Sequence, residues 1–228
     1  VYLRKDDPAM EKLKVQDVTA YHQCYYIGHK VGYPLYENTD VVFYKEAADG
    51  FHAQIEEMKK AQKFIFMEYH AIEDREAFAE MKAVLFAKAK EGVEIRIVYD
   101  DVGSVGFISP EFVKQMKTHG IDCRIFNPMM PVLNIFMNNR DHRKITVIDG
   151  RVGFTGGYNL ANEYFNITHP YGVWKDSGVR LEGEAVRSLT LIFMEMWNAI
   201  RDTDTEYEKY LPDGVFEAKG GGYVQPYA

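Results

Sequence analysis

Apolar positions along the chain recur with two spacings, and the switches between them mark out the elements. From position 40, DVVFYKEA alternates as a strand does, and Phe51, Ile55 and Met58 then follow at helical spacing with charges between them. KFIFMEYHAI is a dense apolar run rich in aromatic side chains, the pattern of a strand covered on both faces. REAFAEMKAVLFAKAKEG puts Phe78, Met81 and Leu85 on one helical stripe and offers Gly92 as a stop. VEIRIVYDD reads as the next strand, SPEFVKQMKTHG as a short helix with Pro110 in its first turn and Gly120 after its end, and IDCRIFNP as a further strand. This alternation predicts an α/β layer architecture: a mixed, largely parallel sheet flanked by helices, with the chemistry on loops at the carboxyl ends of strands. Tyr99, Asp100 and Asp101 fall at such an end.

The pattern then changes. HRKITVID and RVGFTGG are separated by a tight turn at Asp149 and Gly150, which is a hairpin signal. NLANEYFN reads as a short helix or turn, DSGVRLEG as another strand, and the last helix carries Val186, Leu189, Phe193, Met196, Trp197 and Ile200 at core spacing. Residues 1–40 read as an irregular polar lead-in, 41–218 as the folded unit, and 219–228 as a linker. The start at Val1 and the ending GGGYVQPYA suggest a piece of something longer.

Composition narrows the function. With 228 residues, 46% hydrophobic and 27% charged, the chain can bury a large core and is neither disordered nor collagen-like. A net charge of −7 repels nucleic acid in bulk, so any anion must be held by a local cluster. Cys24 and Cys123 belong to no paired motif, which points to a reducing compartment, and no zinc site is readable. The most apolar stretch, SLTLIFMEMWNAI, is cut by Glu195 and falls short of the ~20 apolar residues that a membrane-spanning helix needs.

The local cluster is HRKITVIDG. Side chains alternate across a strand, so His142 and Lys144 share one face while Arg143, Ile145 and Val147 take the other. An imidazole beside an ammonium suits phosphate chemistry: the nitrogen attacks phosphorus and the ammonium neutralises charge developing on the phosphoryl oxygens. Arg140 and Arg143 add positive charge to an acidic chain. Gly156 and Gly157 would let a ligand approach backbone N–H groups, and the Asn159 amide can donate to an oxygen. Asp149 has the opposite parity to His142 and is assigned to the turn. A neutral imidazole needs an acceptor on its other nitrogen. Asp176 in KDSGV is the first candidate, with Glu68 and Asp101 as weaker ones. The other six histidines read as ordinary core or surface residues.

His142, Lys144 and Asp149 have the spacing of the HxKxxxxD signature of the phospholipase D superfamily, which Gly156, Gly157 and Asn159 continue, with Gly157 where many members have serine. The extended run NNRDHRKITVIDGRVGFTGGYNLANEY, with GYPLYENTDVVFY, MEYHAIED, IVYDDVGS and GVWKDSGVRLEGEAV, resembles bacterial cardiolipin synthases over essentially the whole chain. The resemblance implies a phospholipase D-like half-domain over 41–218 and a site completed by a second such half, in the same polypeptide or another chain. It implies His142 as one of two catalytic histidines, Lys144 and Asn159 as phosphate ligands beside Gly156 and Gly157, and Asp176 in the orienting position. It further implies a phosphatidylglycerol substrate at a membrane surface, a parent protein at the bacterial cell membrane, no nucleic-acid partner and no metal or other cofactor. The chain departs from the family in having one such motif rather than two, and in lacking the family's N-terminal transmembrane helices.

Two other readings stand beside this one. A nuclease of the same superfamily would complete its site as a homodimer, and a non-catalytic fragment would bind phosphate or lipid headgroups without turnover. Phe136 and Met137 in MMPVLNIFMNN are candidates for an apolar entrance for acyl chains, or for the core.

Overall fold

The computed structural model describes residues 8–129, 138–204, 206–212 and 214–228. Helices α1 (Pro8–Gln16) and α2 (Val18–Tyr26) come first, so the lead-in expected to be irregular is largely helical. Asp17 explains the second helix, because its carboxylate accepts from the N–H groups of Thr19 and Ala20 at 2.9 Å and caps them. The order thereafter is β1 (Thr39–Tyr44), α3 (Ala47–Met58), β2 (Phe64–Tyr69), α4 (Glu76–Lys90), β3 (Glu94–Asp100), α5 (Pro110–Thr118), β4 (Asp122–Phe126), β5 (Lys144–Ile148), β6 (Val152–Gly156), β7 (Gly178–Gly183) and α6 (Val186–Ile200). A short 3₁₀ turn at Asn162–Phe165 accounts for NLANEYFN.

All seven strands join one sheet in the order β1-β7-β6-β5-β2-β3-β4. Only β2–β3 and β3–β4 pair in parallel; β2–β5, β5–β6, β6–β7 and β1–β7 are antiparallel. The sheet is therefore mixed, as expected, but its parallel part is confined to the strands joined by helical crossovers. The reason lies in the connections: the turn between β5 and β6 is too short for anything but antiparallel pairing. Asp149 and Gly150 both take positive φ there, at 53° and 68°, the backbone such a turn demands.

Two apolar layers enclose the sheet. Ile65, Met67 and Tyr69 of β2 pack with Phe51 and Ile55 of α3 and with Phe78, Met81 and Leu85 of α4. Phe64 and Phe66 point the other way, to Leu189, Phe193 and Trp197 of α6. Every residue of β2 is buried, as a strand covered on both faces requires. The last segment does not run free as a linker: Val224 bridges Tyr36, and the Gln225 amide donates to the carbonyls of Cys24 and Tyr33. No helix among the described residues is long and apolar enough to cross a membrane.

Candidate active site

Because β5 runs antiparallel to β2, its first residue, Lys144, pairs with the last residue of β2, Tyr69. The amino end of β5 thus meets the carboxyl ends of β2 and β3, and the polar side chains of all three strand ends collect there. The alternation read from the sequence holds along β5. Thr146 faces α3, accepting from the Gln54 amide at 2.7 Å, while Arg143 reaches the opposite layer, its Nε 2.7 Å from Glu68 Oε1. His142 is exposed just ahead of the strand, and Lys144 is only 5% exposed. The Lys144 ammonium donates to the carbonyl of His142 at 2.6 Å, which ties the two residues together.

Their titration follows from this placement. Burial, then the neighbouring Lys144 and His70, hold the His142 imidazole below its ordinary pKa and favour the neutral, nucleophilic form. Burial pushes Lys144 down to about 8, with the negative charges of Asp141 and Asp176 opposing that shift. Across the strand, Glu68 is raised well above the carboxylate range by burial and by its contact with Asp141. Glu68, Asp141 and Arg143 therefore form a linked group under the site, with the Arg143 guanidinium between the two carboxylates. A cavity of about 480 Å³ opens beside the site, with His142, Lys144, Gly156, Leu189, Gln225 and Tyr227 in its wall.

The remaining signature residues divide into those near the chemistry and those holding the frame. Asp149 is frame: its carboxylate accepts from the backbone N–H groups of Gln62, Lys63 and Phe64 at 2.8–2.9 Å, pinning the hairpin turn to the start of β2. Those three bonds occupy the carboxylate at the far end of β5 from His142. Asn159 is 1% exposed; its carbonyl oxygen accepts from Ala71 N–H and its amide donates to the Tyr164 hydroxyl at 2.7 Å. Gly156 and Gly157 make room for neighbouring protein atoms. A Cβ at Gly156 would lie 2.6 Å from the Ser177 carbonyl, and one at Gly157 would lie 1.9 Å from Asp176 Oδ1. The Gly157 N–H is also used, donating to Ser177 at 3.2 Å.

Asp176 accepts from its neighbour Ser177 N–H at 2.9 Å and from the Trp174 indole at 3.4 Å. Among the described residues neither it nor any other side chain hydrogen-bonds the His142 ring; its charge acts on Lys144 instead. The weaker orienting candidates are engaged elsewhere, Glu68 with Arg143 and Asp101 with the Met129 N–H at 2.6 Å. The apolar entrance expected at Phe136 and Met137 lies outside the described residues.

Two residues at the site escaped the sequence reading. His70, just past β2, stands with its ring centroid 4.9 Å from that of His142. Asp100, noted only as a strand end, is fully buried and accepts from Gly103 N–H, Asp141 N–H and Arg140, which holds the approach to β5 in place. The signal for both was their position at strand ends, legible only once β2, β3 and β5 are known to be neighbours. Among the described residues no group of three or more His, Cys, Asp or Glu side chains converges as a metal site.

Comparisons with known proteins agree with this geometry. A family profile described as "Cardiolipin synthase, PLD-like domain" matches residues 54–197. An uncharacterized protein of Streptococcus mutans is 38% identical over 227 residues, covering 100% of this chain and 49% of its own length. Cardiolipin synthase 2 of Staphylococcus epidermidis is 34% identical over 91% of this chain and 44% of its own length. The chain thus spans about half the length of these curated relatives. Among solved structures, the phospholipase D family member Nuc from Salmonella typhimurium superposes with a TM-score of 0.54 at 18% identity, over 75% of this chain and 100% of that one. NucT from Helicobacter pylori gives 0.54 at 10% identity over 70% of this chain and 96% of that one, and both likenesses speak for the fold alone. With the profile covering well over half of the residues and the signature histidine inside it, the chain belongs to the cardiolipin synthase family of phospholipase D-like domains.

Proposed function

We propose that the chain supplies one half of the active site of a phosphatidyltransferase that joins two phosphatidylglycerols and releases glycerol. The observation that carries this reading is the exposed His142, its backbone carbonyl held by the Lys144 ammonium and both residues in the wall of a cavity, in a member of the cardiolipin synthase family. His142 attacks phosphorus, the bond from phosphorus to the glycerol headgroup breaks, and a phosphohistidine forms. The glycerol oxygen takes a proton from a second histidine on the opposite side of phosphorus, since displacement is roughly in line. That histidine belongs to a second half, in the same polypeptide or in another chain. The hydroxyl of the second phosphatidylglycerol then gives up its proton to that second histidine and attacks phosphorus, and the bond from phosphorus to His142 breaks, restoring both rings. Lys144 and the second N–H of the Asn159 amide hold the phosphate, and Asp176 keeps Lys144 charged.

The lipid substrate requires contact with a membrane surface. Ile167, Tyr171 and Val173 stand 48%, 77% and 86% exposed on the loop that ends at Asp176, and they suit that contact. The test uses the natural full-length protein with phosphatidylglycerol labelled at phosphorus. Acid-labile label is expected on His142, and on no residue in a His142→Ala variant; unchanged labelling of the variant would refute the assignment. A second reading is a homodimeric nuclease of the same fold, in which a second copy of this chain supplies the other histidine. Cleavage of single-stranded DNA by this chain, lost in His142→Ala, would decide for it.

A further inference from the structure

His70 is set up as a chemical group rather than as packing. Its Nδ1 lies 2.7 Å from the carbonyl oxygen of Asp141, which can only accept, so Nδ1 carries the hydrogen. Nε2 is left without a protein partner among the described residues. The Cε1–Nε2 edge rests against Gly103, where a Cβ would come within 2.7 Å of both atoms, so the loop after β3 is shaped around this ring. Titratable groups face it from the neighbouring elements: Asp100 of β3, whose Oδ1 is 3.9 Å from Nδ1 and 3.3 Å from Arg140, Asp141 on the approach to β5 through its carbonyl, and His142 beyond it.

In-line displacement says where such a ring can act. The leaving oxygen departs on the side of phosphorus away from His142, whereas the three non-bridging positions of the transition state lie around the equator, beside the attacking ring. An imidazole stacked obliquely next to His142 reaches the equator and not the far apex. We propose that His70 is a further catalytic residue of this half-site, donating from Nε2 to a non-bridging oxygen of the phosphodiester that His142 attacks; this rests on the phosphohistidine reading above. No bond to His70 is made or broken. As an imidazolium the ring donates from both nitrogens, Nδ1 to the Asp141 carbonyl and Nε2 to the diester oxygen. Together with Lys144, it concentrates positive charge where the phosphoryl oxygens gain negative charge.

The experiment compares His70→Phe, which keeps a ring beside His142 without a donor, with His70→Gln, which keeps a donor, in the natural full-length protein. The rate of phosphohistidine formation from labelled phosphatidylglycerol at saturating lipid is expected to fall roughly 100-fold in His70→Phe, the cost of one lost oxyanion donor. KM should change far less, and His70→Gln should recover a clear part of the loss. A folded His70→Phe protein labelling at close to the wild-type rate would overturn the inference, as would equal loss in both variants. Neither outcome touches the role of His142, which the His142→Ala control tests separately. Should His70→Phe fail to fold, nitrogen NMR of the unsubstituted protein with orthovanadate replaces it. Protonation and hydrogen bonding at His70 Nε2 on addition of the oxyanion are expected, and an unchanged ring would refute the proposal.

Discussion

Lys144 is held where its charge is costly. A lysine whose folded pKa is about 8, against 10.5 for the free side chain, binds fewer protons folded than unfolded between those two values, so its contribution to stability improves as pH rises through that window. At pH 7 the full penalty applies, at most about 3 kcal/mol at 1.36 kcal/mol per pKa unit. Lys144→Met is therefore expected to unfold at higher urea concentration than the wild type at pH 7, with the gain shrinking as pH is raised from 8 towards 10.5, while the proposed transferase activity of the full-length protein is lost. Equal stability of the two proteins at pH 7 would show that the ammonium is not desolvated. The same groups set the pH profile of kcat/KM. Loss of activity on the acid side should lie below the ordinary histidine range, where His142 protonates, and loss on the alkaline side should centre near 8, where Lys144 gives up its proton. Gly157 makes the complementary point: Gly157→Ser would put a Cβ 1.9 Å from Asp176 Oδ1, so Asp176 must swing away from its place beside Lys144. The alkaline limb in Gly157→Ser is expected to move to lower pH as that favourable charge is removed, and an unmoved limb would show that Asp176 does not act on Lys144.

The hairpin of β5 and β6 is the element that carries the signature, and Asp149 is what anchors it. Three charge-assisted bonds to Gln62, Lys63 and Phe64 fix the turn against the start of β2. Asp149→Ala removes those three acceptors and is expected to cost about 1–2 kcal/mol in urea unfolding, since the exposed Gln62 and Lys63 N–H groups can turn to water and only the Phe64 N–H is part-buried. The bond between Lys144 and the His142 carbonyl lies at the other end of β5, so residual activity per folded molecule should persist. At this scale much was legible. The tight turn at Asp149 and Gly150 reads directly because few residues tolerate positive φ, and the stripe of Phe78, Met81 and Leu85 reads because one helix face must be buried. The helices in residues 8–26 were not legible, because Tyr21, Tyr25 and Tyr26 give no clean apolar stripe and no residue of α2 is buried. The extent of parallel pairing was also hidden, because helix and strand alternation fixes the crossovers but not which strand β5 chooses.

The whole molecule poses the question of partners. The chain spans about half the length of its relatives, and the proposed lipid substrate makes a membrane contact the property to test. The loop bearing Ile167, Tyr171 and Val173 joins the site through Trp174, whose ring lies 4.8 Å from that of Tyr164, the residue that accepts from Asn159. Tyr171→Asp with Val173→Asp is expected to weaken sedimentation of the full-length protein with phosphatidylglycerol vesicles several-fold, without altering labelling of His142 by lipid in detergent. Undiminished vesicle binding would exclude this loop as a membrane contact.

The HxKxxxxD spacing by itself determined that an imidazole and an ammonium stand two residues apart at the start of a strand, because chemical identity and strand alternation are local properties of the chain. Which groups surround that pair was decided only by tertiary structure. His70 and Asp100 come from strands separated from His142 by long stretches of sequence, and they meet it because β5 docks antiparallel against β2 with Lys144 opposite Tyr69. The place of the Asp176 carboxylate, where a Cβ at Gly157 would stand, and its charge acting on Lys144 are likewise tertiary facts. Register and close contact are set by packing across the sheet, and no local pattern of residues encodes them.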